Sequence, residues 1–196
     1  MSGKRPASAE RSRRLVAGAL LVGALVSASI LAASPAVAAP GADARPPVPA
    51  SLTALESNAE DIVDVALAHD RARVIAMAGT LSTSAGSTTA RALVSAGAAR
   101  TDVAALRVRV ALVARLSRSG PYTSVALAAN AVSGLVVAFY ARFADPVPLA
   151  VRRLDYLDRE AQLRSLGGQG NAVPQVVARL AATWTPLRQA VIDHGG

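Results

Sequence analysis

The sequence predicts an all-α protein: a bundle of the four-helix type, with four long helices, one of them open to a split at a proline hinge, behind an N-terminal signal segment. Three observations predict it. Apolar residues recur at spacings of three and four through most of residues 51–196, the period of a helix with one buried face. No run shows the two-residue alternation of a half-buried strand. Ala, Val and Leu dominate, and with one Trp, three Tyr and two Phe the core suits closely packed helices better than a sandwich of aromatic and β-branched pairs.

The chain divides as 1–38, signal peptide; 39–50, proline-rich tether; 51–196, helical bundle domain. MSGKRPASAERSRR is a basic leader, LVAGALLVGALVSASILAA an uncharged apolar run, and SPAVAAPGADA a stretch of small residues, in the order of a secretory signal. Cleavage is expected after Ala38, at Ala36-Val37-Ala38. The protein is therefore expected to be exported, either secreted or periplasmic. Ser12-Arg13-Arg14 followed by Leu15-Val16 resembles a twin-arginine motif. The run from Leu15 to Ala33 is nearly long enough to stay as an anchor if it is not cleaved, and that is the one membrane association expected. PGADARPPVP, residues 40–49, is too rich in proline for helix or strand and reads as an extended tether.

The first helix is expected to start near Ser51 to Thr53, with Thr53-Ala54-Leu55-Glu56 as a capping box. Its stripe of Leu52, Leu55, Ala59, Ile62, Val63 and Ala66 continues to Val74, Met77 and Ala78, and Asp70 interrupts that stripe at its centre. Ser82 to Thr89, around Gly86, is the expected turn. The second helix runs from about Thr88 to Ser117, with a break indicated between Gly97 and Thr101. Leu106, Val110, Val113 and Leu116 face inward. Arg100, Arg107, Arg115 and Arg118 fall on the other side, and because arginine supplies all but one of the 21 basic residues we read them as a solvated face in preference to an anionic docking surface.

The third helix follows Ser119-Gly120-Pro121, with proline in its first turn. Between Arg118 and Arg142 there is no charged residue, and a helix with no charged face has to be covered on nearly all sides. It is the expected centre of the bundle. Its length also suits a transmembrane span, but Asn130 and Ser133 in its middle and the amphipathic helices around it favour burial in protein. The fourth helix is expected to open at Asp145-Pro146, with Asp145 as N-cap, and to carry Val147, Val151, Leu154, Leu157 and Ala161 inward; Arg152, Asp155, Arg159, Glu160 and Arg164 can pair at spacings of three and four. Gly167-Gly168 ends it. Asn171 can cap a fifth helix with Val176, Val177, Leu180, Trp184 and Leu187 on its stripe, and Trp184 and Phe139 are expected in the core.

Several chemistries are excluded by composition. There is no cysteine, hence no disulfide, thiolate metal site, covalent c-type haem or lipid-modified cysteine. Two histidines, His69 and His194, rule out a three-histidine zinc site, and neither Glu-x-x-His nor His-Glu-x-x-His occurs. No G-x-S-x-G elbow and no phosphate-cradling glycine loop is present, so no catalytic residue is assigned and the protein reads as non-enzymatic. The formal charge of +8 splits equally between residues 1–38 and the rest, which argues against a nucleic-acid partner.

The best-placed ligand or metal candidates are Asp70, Asp158 and His69. Asp70 lies on the apolar stripe, where an unpaired carboxylate costs several kcal/mol. Pairing with Arg73, or a hydrogen bond to Asn130, is the structural explanation, with Arg73 and Asn130 then being polar residues of the core; a shared cation with Asp158 is the functional one. No cofactor is implied. The expected activity is binding, to a cell-envelope protein or a small ligand, with a metal- or haem-binding bundle, the haem held by Met77 and a histidine, as the alternative.

Overall fold

The fold is built around its least charged helix. In a computed structural model describing residues 45–194, the segment Tyr122–Tyr140 is a helix with 11 of its 19 residues buried, and it packs against three other long helices. The expected signal segment, the cleavage site and residues 39–44 of the tether lie outside the described residues. The described chain is all helical apart from one isolated bridge between Pro47 and Ala144. Seven α-helices follow in order: α1 (Ala50–Leu67), α2 (Arg71–Ser84), α3 (Ser87–Ser95), α4 (Arg100–Ser119), α5 (Tyr122–Tyr140), α6 (Leu149–Leu166) and α7 (Val173–Asp193), with a short 3-10 turn at Gly170–Ala172 before the last. The expectation of four long helices is corrected in this respect.

α5 lies between α1, α4 and α6; α2 packs on α1 and α4, and α7 packs on α6. Leu52, Leu55 and Ile62 from α1, Leu81 from α2, Leu106 and Val113 from α4 and the inner face of α5 form one cluster. The whole of this core lies between Val48 and Leu163, as expected of a unit with its own core that folds without the preceding segment. α5 is long and apolar enough to cross a bilayer by length and composition, and here its faces are covered by α1, α4 and α6.

The helix ends differ from the sequence reading in ways that have local causes. α1 begins at Ala50, with Pro49 in the N-cap position and no side-chain cap. The expected capping box is not formed, because the helix starts ahead of Thr53; Glu56 is held by Tyr140 and Arg152. The first expected helix is broken into α1 and α2 at Ala68 to Asp70, where His69 takes a left-handed φ of 61°. Asp70 accepts a hydrogen bond from the Arg73 backbone N–H at 3.0 Å and is the N-cap of α2, satisfying one of the orphan donors of a helix start. The stripe's period survives this break, which is why the sequence reads as one helix.

The indicated break at Gly97 is present between α3 and α4, with Gly97 at φ +82°. Asp145 does not cap α6, which starts four residues later behind Pro148. It is drawn away by the Arg152 guanidinium, whose Nε and Nη2 reach its two oxygens at 2.5 and 3.1 Å, a bidentate charge-assisted pair. Asn171 makes no side-chain cap for α7. Pro46 to Val48 are extended, as their prolines require, and docked: the Ala144 N–H donates to the Pro46 carbonyl at 2.9 Å and Val48 packs on the core.

α7 departs furthest from expectation. Val176 is its one buried residue, and Trp184, expected in the core, is 47% exposed. The reason is topological. α7 lies outside α6, and among the described residues no further helix packs on its apolar stripe.

Candidate functional site

Between α4, α5 and α6 lies a cavity of about 400 Å³, in the size range of small-molecule sites. Leu112 and Leu116 of α4 and Leu127 of α5 form its apolar wall; Asn130 of α5, Arg109 of α4 and Arg164 of α6 are among its polar residues. A close approach of α5 and α6 positions two of its lining residues, Asn130 and Tyr156. Gly134 has no side chain, and a Cβ there would lie 2.7 Å from a ring carbon of Tyr156, so the Tyr156 ring rests directly on the α5 backbone. One turn earlier on α5, Asn130 then meets the α6 backbone, and its Nδ2 donates to the Tyr156 carbonyl at 3.3 Å.

That bond fixes the orientation of the amide, because turning it over would set Oδ1 against a carbonyl oxygen. Asn130 is 1% exposed, and its Oδ1 has no partner among the described residues. A buried acceptor without a donor costs about 1–3 kcal/mol. The Ser133 hydroxyl on the next turn is buried and unpartnered as well. Two unsatisfied polar groups three residues apart on the central helix are unusual in a native interior.

The rim of the cavity is charged and ordered. Glu160 is 6% exposed; its Oε1 takes the Arg164 guanidinium at 2.7 Å and its Oε2 that of Arg179 at 3.2 Å. Burial opposes its ionisation, but the hydrogen bonds from Arg164 and Tyr156 and the charges of Arg164 and Arg179 prevail and hold its carboxyl below the usual range. Tyr156 is pushed up by burial first and by the adjacent Glu160 carboxylate second. Arg164 also donates to the Gln169 side chain at 2.9 Å. Arg109, also in the lining, makes none of the ion pairs among the described residues. The lining therefore combines an amide whose oxygen is unpaired, a phenol bonded to Glu160 and a guanidinium outside the ion pairs of the described residues with the apolar wall of Leu112, Leu116 and Leu127.

A second polar cluster is closed. Tyr140 donates to Glu56 at 2.7 Å, Arg152 reaches the same carboxylate oxygen at 2.9 Å and stacks 3.9 Å above the Tyr140 ring, and Asp145 completes the chain. Burial and the Glu56 hydrogen bond push the Tyr140 phenol up to about 12, whereas the Arg152 hydrogen bond holds Asp145 below the usual carboxylate range. Each of these groups has its partner, and the cluster ties α1, α5 and α6 together.

The residues singled out from sequence are not brought together. Asp70 caps α2 and is half-buried, while Arg73 is exposed and reaches Asp70 through its backbone, so the buried pair expected of them is corrected. His69 is exposed and stacks on the Tyr122 ring with centroids 4.6 Å apart. Tyr122 also lies 4.2 Å from the Arg71 guanidinium, which donates to the Ser117 and Gly120 carbonyls at 2.9 and 2.6 Å and so closes the C-terminus of α4. Asp158 is exposed on α6 and accepts from Gln162 at 2.7 Å. Met77 packs against the hydrophobic core. Among the described residues no group of three His, Cys, Asp or Glu side chains could hold a metal ion.

Asn130 is the residue that the sequence reading and the cavity share. Tyr156 and Arg109 were not among the sequence candidates. The signal that points to them is Gly134, a helix-weakening residue inside an otherwise apolar helix, one turn after an asparagine. No family model, curated protein or solved structure matches the chain.

Proposed function

We propose that this is an exported, non-enzymatic binding protein, and that its ligand seat is the cavity between α4, α5 and α6. The observation that carries the reading is that Asn130, whose Oδ1 is buried and unpaired among the described residues, is one of the residues lining that cavity. A group that costs stability when empty and lies beside a pocket is accounted for if a ligand supplies the missing donor. The ligand class follows from the lining: a small molecule with an N–H or O–H for Asn130, an anionic group for Arg109 and an apolar body against Leu112, Leu116 and Leu127. Amino and hydroxy acids are the simplest members of that class.

Thermal unfolding in the presence of a panel of amino and hydroxy acids tests it. At least one should raise the melting temperature of the wild type, and the shift should vanish in Asn130→Leu and shrink in Arg109→Gln. If no compound shifts the wild type, and native mass spectrometry of protein from its own cell shows no bound species, the cavity is not a binding site.

A further inference from the structure

The excess positive charge of the described region is gathered on two helices. Residues 45–194 contain sixteen arginines and eleven carboxylates. α3 and α4 contribute Arg91, Arg100, Arg107, Arg109, Arg115 and Arg118 against the single Asp102, a net +5, so the remaining ten arginines and ten carboxylates balance. All the ion pairs among the described residues fall on Arg152, Arg159, Arg164 and Arg179, on α6 and α7. Chain-wide arginine usage does not explain this separation.

The basic residues are also aligned. At 100° per residue, Arg100, Arg107, Arg115 and Arg118 fall within roughly 80° of arc and extend about 27 Å along α4. Ala104, Val108 and Ala111 lie on the same stripe, and Val108 is 68% exposed. Beside this row, a groove of about 350 Å³ separates α3 from α4. Ala90, Val94 and Val103 line it together with Arg91, Arg100 and Arg107.

We infer that the α3–α4 face docks on the surface of an anionic phospholipid bilayer. Guanidinium groups pair with phosphate through two parallel hydrogen bonds, and a straight row of them matches a flat array of phosphate headgroups. The apolar lining and the exposed Val94 and Val108 distinguish a lipid from a purely polar polyanion: a soluble polymer would leave them wet, while a headgroup region adjoining acyl chains covers them. The inference is independent of the cavity ligand, which enters between α4, α5 and α6.

Co-sedimentation of the Asp43–Gly196 unit with vesicles tests it. The unit should partition onto phosphatidylcholine vesicles containing roughly a third phosphatidylglycerol and not onto pure phosphatidylcholine, with partitioning lost as salt is raised. The triple variant Arg100→Gln/Arg107→Gln/Arg118→Gln should bind anionic vesicles on the order of a hundredfold less, at about fivefold per arginine. Arg73→Gln/Arg153→Gln/Arg188→Gln, which removes the same charge from exposed positions elsewhere, should lose less than about tenfold. Val94→Ser/Val108→Ser should weaken vesicle binding severalfold with its circular dichroism unchanged. Absence of partitioning at low salt, or equal losses in the two arginine triples, would overturn the proposal. So would binding to dextran sulfate as tight as to anionic vesicles and unaffected by the two serine substitutions, which would assign the face to a soluble polyanion.

Discussion

Gly134 shows how one absent side chain shapes the site. Alanine is the better helix former by about 1 kcal/mol, yet a methyl group here would be driven into the Tyr156 ring, and overpacking of that kind costs about 1–3 kcal/mol. Gly134→Ala should therefore destabilise, and the penalty should disappear when Tyr156→Ala is combined with it; a stabilised single variant would show that the two helices are not in contact at this point. Tyr140 gives a pH-dependent prediction. Its phenol ionises near 10 in the unfolded chain and at about 12 in the fold, so its contribution to stability is complete below pH 10 and is lost as pH rises towards 12. The urea midpoint should fall across that interval and fall less steeply in Tyr140→Phe. Equal slopes in the two proteins would remove Tyr140 from the alkaline transition. The role of Tyr140 cannot be seen in the sequence, because Tyr140 and Glu56 are 84 positions apart and a local capping box is the nearer reading of Glu56.

At the scale of elements, the helices with strong local signals are legible and those defined by their neighbours are not. α5 is identified as the central helix because a charge-free stretch admits no solvent face. The division of α1 from α2 escapes the sequence because the three-four period continues across His69, a non-glycine residue in a left-handed turn. α7 fails for a different reason: an apolar stripe reads identically whether another helix covers it or not, and the sequence does not record that α7 lies outside α6. The contrast can be measured. Phe139→Ala should cost roughly 3–5 kcal/mol, as large-to-small core changes do; Trp184→Ala, at a half-exposed position, should cost less than about 1 kcal/mol. A loss at Trp184 equal to that at Phe139 would mean that the α7 stripe is covered in solution.

For the whole molecule, the all-helical class follows from periodicity and the arginine excess over residues 91–118 can be counted in the sequence, while the groove beside that row and the cavity appear only once the helices are packed. Arg100, Arg107, Arg115 and Arg118 look like part of a general arginine excess until every carboxylate but Asp102 is seen to lie off α3 and α4. Asn130 looks like a core amide that fixes helix register until one of its two polar atoms proves to have no partner. If this amide is kept for a ligand and not for stability, the equilibrium stability of ligand-free Asn130→Leu shows it most directly. Leucine removes the unpaired acceptor, leaves the Tyr156 carbonyl within the hydrogen-bond ladder of α6 and has the adjoining cavity to occupy. Its free energy of unfolding in urea should equal or exceed that of the wild type; a loss of about 2 kcal/mol or more would show that the Asn130 side chain is satisfied in the native core and would contradict the ligand reading.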